Sequence, residues 1–95
     1  NGIPEINDLA VLPGYRRQGI ASLLVDACET VIGERSNIAG IGVGLYADYG
    51  PAQRMYVQRG YVPDGNGVTY HDSYVVPGAS VPVDDDLVLF LVKQL

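Results

Sequence analysis

The sequence predicts an α/β domain built on one mixed sheet, with elements in the order β-α-β-α-β-β-β. Three observations predict it. A strand-length run at Glu5–Leu12 is followed by a long helical periodicity, and then by a second strand-length run at Ile38–Tyr46. A β-α-β start of this kind implies parallel neighbouring strands joined by a right-handed crossover. The C-terminal third reads as extended, so too few helices remain to cover an all-parallel sheet.

Each element has its own signal. Glu5–Leu12 is rich in branched residues and closed by Pro13-Gly14. Ile20, Leu23, Leu24, Ala27, Cys28, Val31 and Ile32 follow at i, i+3, i+4, i+7, i+8, i+11 and i+12, which is one face of an α-helix. Ser22, Asp26, Glu29 and Thr30 fall mostly on the other face, and Gly33 is the expected stop. Ile38–Tyr46 (IAGIGVGLY) is a strand whose glycines leave little side chain between the backbone and whatever lies over it. Gly50-Pro51 has the form of a helix start. Ala52, Met55, Tyr56 and Arg59 share a face of that helix, and Gly60 ends it. Tyr61-Val62-Pro63 begins another extended piece, DGNG at 64–67 is a turn, and Val68–Val76 is a further strand. Asp84–Asp86 marks a solvated loop. Leu87–Lys93 (LVLFLVK) is apolar enough for a strand buried on both faces.

Composition removes several classes of function. At 95 residues the chain is one domain with a modest core. Its 47% apolar and 18% charged residues describe a globular chain, not a disordered one. A net charge of -5 argues against general nucleic-acid binding. No apolar run approaches the roughly 20 residues that span a bilayer, and no signal-peptide pattern is present. The single cysteine, Cys28, excludes an internal disulfide and suits a reducing cytoplasm. It falls on the apolar helix face and reads as a small core residue. His71 has no second His or Cys beside which to hold a metal, so no metal is expected.

The stretch VLPGYRRQGIA, residues 11–21, runs against the overall charge. It delivers Arg16, Arg17 and Gly19 from the end of a strand to the start of a helix. A helix N-terminus has unpaired N–H groups and the positive end of the helix dipole, so it suits anions and above all phosphates. Gly19 and the small Ala21 permit close approach. Arginine forks match phosphate oxygens. The stretch lacks the P-loop pattern and the three glycines of a dinucleotide fingerprint. By physical reading it is a pyrophosphate cradle.

These residues resemble the acetyl-CoA-binding motif of the GNAT N-acetyltransferase superfamily. The pattern Arg/Gln-x-x-Gly-x-Gly/Ala is met by Arg16, Gly19 and Ala21, after a lead-in of Val11, Pro13, Tyr15 and Arg16. A second block, PAQRMYVQRGYVPDG, is similar to the family's second motif, filled by Ala52, Tyr56, Arg59, Gly60 and Tyr61. The resemblance covers roughly residues 5–65, and the last strand fits as well. It implies the C-terminal part of a GNAT-like fold, with acetyl-CoA as co-substrate. The backbone of Leu9, Ala10 and Val11 would hold the pantetheine arm and acetyl group. The N–H groups of Arg17, Gln18, Gly19, Ile20, Ala21 and Ser22 would hold the pyrophosphate, helped by the Arg16 and Arg17 side chains. Tyr56 would be the general acid that reprotonates the thiolate. The acceptor would be an amine, small molecule or peptide, attacking directly in a ternary complex.

The chain also departs from that pattern. Many members carry Asn where this chain has Tyr49, and some carry a catalytic Glu where the match is Gly44. A base early in the first strand is an alternative, with Glu5 favoured over Asn7 and Asp8. A water, or a neutral amine needing no base, is another. The family's segment before the last strand can border the acceptor site, which makes Tyr70, Tyr74 and Asp84–Asp86 candidates for substrate contact. The family's earlier strands and helices are missing, and Asn1-Gly2 is not an initiator start, so residues 1–95 read as a partial domain. Self-association or strand exchange is expected at the unpaired edge of the first strand, unless an N-terminal half covers it. Two other readings stand beside catalysis: a non-catalytic acyl-CoA-binding module, and an inactive fragment.

Overall fold

The computed structural model describes residue 3, residues 5–6 and residues 18–95, with side chains described at residue 3 and from residue 22 onward. The elements are β1 (Glu5–Ile6), α1 (Gln18–Gly33), β2 (Ile38–Gly44), a 3-10 turn (Ala47–Tyr49), α2 (Gly50–Gln58), β3 (Val62–Tyr70), β4 (Ser73–Tyr74) and β5 (Leu87–Gln94). The described strands form one mixed sheet in the order β1-β2-β5-β3-β4. β1 runs parallel to β2, with Glu5 beside Gly40 and Ile6 beside Ile41. The other neighbouring pairs are antiparallel.

This order explains where the helices lie. The passages from β1 to β2 and from β2 to β3 cross the sheet in the same direction. Right-handed crossovers then place α1 and α2 on the same face. The two helices touch each other and β2. The core between them and the sheet contains Val25 and Ile32 from α1, Ala52, Met55 and Tyr56 from α2, and Ala39, Ile41, Val43 and Leu91 from the strands. Because strand side chains alternate, Gly40, Gly42, Val88, Phe90 and Val92 turn to the opposite face. Among the described residues no helix covers that face.

Three expectations are corrected. First, α1 is rotated from its apolar stripe. Leu23 and Val31 are 68% and 55% exposed, whereas Val25, outside the stripe, is 0% exposed. Val25, Cys28, Glu29 and Ile32 form the line that meets the core, with Leu24 packed beside it. A stripe so wide does not by itself say which edge docks; contacts with β2 and α2 decide. Second, β5 is not buried on both faces. Leu87 and Leu91 are buried, while Val88, Phe90 and Val92 are half-buried on the helix-free side.

Third, the turn signals after Gly60 work differently. DGNG does not separate two strands. It swells β3 between Pro63, which sits opposite Leu91, and Val68, which sits opposite Leu89. Gly65 and Gly67 supply the positive φ values, +89° and +84°, that this bulge needs. The break comes instead inside the expected strand Val68–Val76. His71 and Asp72 have φ of 49° and 63°, and Tyr70 pairs with Ser73 across them. That is a two-residue hairpin turn with both central residues left-handed. His and Asp tolerate this region better than most side chains, which is why no glycine marks it.

The rotation of α1 is testable by chemical denaturation. Val25→Ala should cost about 2 kcal/mol, as expected for a buried valine. Leu23→Ala, although it removes a larger side chain, should stay within about 0.5 kcal/mol.

Candidate functional site

The expected donor cradle centres on the start of α1. Among the described residues the helix begins at Gln18, so Gln18, Gly19, Ile20 and Ala21 form its first turn. That turn carries no acidic residue, which suits an anion at its N–H groups. Leu9, Ala10, Val11, Arg16 and Arg17 lie outside the described residues. Glu5 belongs to β1, on the parallel edge of the sheet.

Ser22, the last of the expected cradle residues, is held from α2. Arg59 Nη1 donates to Ser22 Oγ at 2.8 Å and to the Ser22 carbonyl at 3.4 Å. Arg59 Nη2 also donates to Asp26 and, at 3.2 Å, to Glu29. Burial pulls the Arg59 guanidinium down, but Asp26 and Glu29 more than offset it, and its pKa is raised. Glu29 gathers further donors: Tyr61 O–H at 2.8 Å and Lys93 Nζ at 3.1 Å to each carboxylate oxygen. One half-buried carboxylate thus joins α1, the end of α2, the start of β3 and β5. Burial and the bond to Glu29 push the Tyr61 phenol above its usual range.

Tyr56 sits in the core at 2% exposure, its ring centroid 6.1 Å from that of Tyr61. It is one turn before Arg59, so the network at Glu29 fixes α2, and Tyr56 with it, against the beginning of α1. The two departures from the motif pattern prove to be one packing unit. A Cβ added at Gly44 would stand 2.3 Å from the Tyr49 ring. Glycine at 44 is therefore what lets tyrosine lie at 49. Gln53 Nε2 donates to the Gly44 carbonyl at 2.7 Å.

The acidic triplet is less free than a solvated loop. Tyr70 O–H donates to Asp84 at 2.8 Å. Asp85 accepts from both Tyr46 and, at 3.2 Å, Tyr49. Asp86 faces His71 Nδ1 at 3.6 Å. The bonds to Asp85 and Asp84 raise the Tyr46 and Tyr70 phenols to about 12. Burial, then Asp85, raises Tyr49. Sequence reasoning missed these pairs, because nothing in the spacing of tyrosines at 46, 49 and 70 points to carboxylates some 14 to 39 residues later. Cys28 is partly buried against the core. Among the described residues no cluster of His, Cys, Asp or Glu could hold a metal ion. No described helix is long and apolar enough to cross a membrane.

A model of the acetyltransferase (GNAT) family matches residues 1–61. The chain belongs to the GNAT acetyltransferase family. The match takes in β1, α1, β2 and α2, and ends at Tyr61, the residue that bonds Glu29. No curated protein and no solved structure matches the chain.

The raised tyrosines have a consequence for alkaline stability. An unfolded tyrosine ionises near 10, whereas Tyr61 in the fold keeps its proton to higher pH. The folded state therefore binds more protons above pH 10. The stability from Tyr61 is complete below that pH and is lost as pH rises through its folded value. The melting temperature should be flat in this respect up to about pH 10 and fall beyond it. Tyr61→Phe should melt lower at neutral pH but lose less between pH 10 and 12.

Proposed function

We propose that this GNAT-family chain moves an acetyl group from acetyl-CoA to an amine. The observation that carries the reading is the family match over residues 1–61, which includes both the helix start at Gln18 and Tyr56. In the proposed reaction the amine nitrogen bonds to the thioester carbonyl carbon and loses a proton. The C–S bond breaks, and the departing thiolate takes up a proton. The N–H groups of residues 17–22, with Arg16 and Arg17, hold the pyrophosphate, and Leu9–Val11 guide the arm. Acetyl-CoA supplies the activated acyl carbon. The chain contributes alignment and charge stabilisation, which are the main sources of rate in such a transfer.

Tyr56 is the proposed acid for the thiolate. Phenol and thiol acidities lie within about two units of each other, so the proton transfer is nearly balanced. With Gly44 beneath Tyr49, no carboxylate stands at that place in β2. The base is then Glu5 or a water, or the amine arrives neutral. A reducing cytoplasm suits the lone Cys28. The proposal extends to self-association or strand exchange at β1, or its cover by an N-terminal half.

Acetyl-CoA at about a hundred times its Kd should stabilise the fold by about 2.7 kcal/mol, raising the melting temperature. Arg16→Ala with Arg17→Ala should abolish most of that shift. Thiol release with a panel of amines should fall roughly a hundredfold in Tyr56→Phe while acetyl-CoA affinity is unchanged. Binding without thiol release from any amine would identify a non-catalytic acyl-CoA module. No stabilisation at millimolar acetyl-CoA would identify an inactive fragment.

A further inference from the structure

The helix-free face of the sheet contains a hollow of about 360 Å³. Its size is at the lower end of small-molecule sites, which run from roughly 300 to 1,000 Å³. Gly42, Val88 and Phe90 form an apolar floor, and Asp64, Thr69, Asp72 and Tyr74 stand around it. Gly42 keeps the floor low. A Cβ there would be 2.9 Å from Val88 Cγ1 and 3.5 Å from Phe90 Cδ1, and would project into the space above. Among the described residues that line the hollow there is no Lys, Arg or His.

The two carboxylates differ in what they do. Asp64 accepts from the backbone N–H of Asn66 at 2.9 Å and from its side-chain amide at 3.2 Å, and so braces the bulge in β3. Neither bond brings a positive charge. Asp72 occupies the left-handed turn between β3 and β4 and makes no hydrogen bond or ion pair with any described residue. Two negative charges with no cation among the described lining residues, over an apolar floor, attract a cation and repel an anion. The cradle at α1 has the opposite preference. The hollow therefore rejects the phosphates of a coenzyme and favours a positively charged partner.

We propose that this hollow binds the acceptor, and that the acceptor is a positively charged amine on a short apolar stem. The stem rests on Gly42, Val88 and Phe90, and the charge lies toward Asp72 and Asp64. Gly42 of the floor follows Ile41, which lies beside Ile6 of β1, so the hollow adjoins the parallel strand pair. Calling the occupant an acceptor rests on the acetyl-transfer reading above; the binding of a cation does not.

Three compounds with one aromatic stem and different charge make the test: phenethylamine, neutral 2-phenylethanol and anionic 3-phenylpropionate. Each is titrated into the full chain and followed by amide chemical shifts. Phenethylamine should move the Gly42, Thr69, Asp72 and Val88 signals and bind about tenfold or more tightly than the other two. Asp72→Asn, which keeps a residue suited to the left-handed turn, should weaken phenethylamine about fivefold to tenfold. It should leave the shifts of the neutral alcohol unchanged. Acetyl-CoA affinity is measured on the same samples by calorimetry and should not change in the variant. Equal binding of the three compounds, perturbations confined to other parts of the sheet, or no effect of Asp72→Asn would overturn the proposal. If acetyl-CoA binds and the amine does not, only the hollow's assignment fails. If the amine binds as expected and acetyl-CoA does not, the cation site stands and the acetyl-transfer reading falls.

Discussion

Glu29 is the point on which the described structure turns. A carboxylate that is only 13% exposed accepts from a guanidinium, an ammonium and a phenol carried by three other parts of the chain. Removing one acceptor of this kind leaves several donors partly desolvated, which is costlier than the net worth of any single bond. Lys93 also lies 5.7 Å from the Tyr61 ring centroid, so its charge is met by both the carboxylate and the π face. With Asp26 included, two acids meet two bases, and the cluster is neutral. Such a balance lets charged groups hold a helix pair against a sheet in a small domain whose apolar core is limited.

The same network carries the fold's geometry into its chemistry. Arg59 reaches one way to Glu29 and the other way to Ser22, at the end of the expected pyrophosphate seat. Tyr56 lies one turn earlier on α2. In the proposed reaction, a salt-linked clamp in addition to apolar packing holds the distance between the proposed donor seat on α1 and the proposed acid on α2. Arg59 of the second motif is thereby joined to Ser22 at the start of α1 despite their distance in sequence. The family match ends at Tyr61 and so takes in every member of this network except Lys93.

Much of this was legible in the residues, and the failures have physical causes. The helix start at Gln18–Ala21 and α2 beginning at Gly50-Pro51 follow from signals that act locally, namely periodicity, glycine and proline. The orientation of α1 was not legible. Seven apolar positions make a stripe too wide to name its docking edge, and Glu29 looked like a solvent residue because its partners at 59, 61 and 93 are distant in sequence. The hairpin at His71-Asp72 escaped because its turn residues are not glycine. DGNG, which does carry turn glycines, forms a bulge inside β3 because the chain re-enters pairing with β5 at Val68. The tyrosines on Asp84 and Asp85 and the ring of Tyr49 over Gly44 are likewise long-range facts.

The division between what the motifs reveal and what they leave open follows from the chemistry of the two halves. A coenzyme common to a family can be held mainly by backbone N–H groups at a helix start, so its signature is a pattern of glycine and small residues with arginine nearby. An acceptor is recognised by side chains, which need no fixed pattern. The proposed acceptor hollow conforms to this division. Asp64, Thr69, Asp72, Tyr74, Val88 and Phe90 all lie beyond residue 61, where the family match ends. Of the described lining residues, Ile3 and the glycine floor at Gly42 fall within it. The sheet joins the two halves, because β5 comes last in the chain but inserts between β2 and β3. That insertion brings Val88 and Phe90 over the glycines of β2, where a residue from the motif-bearing half and residues from the remainder form one surface.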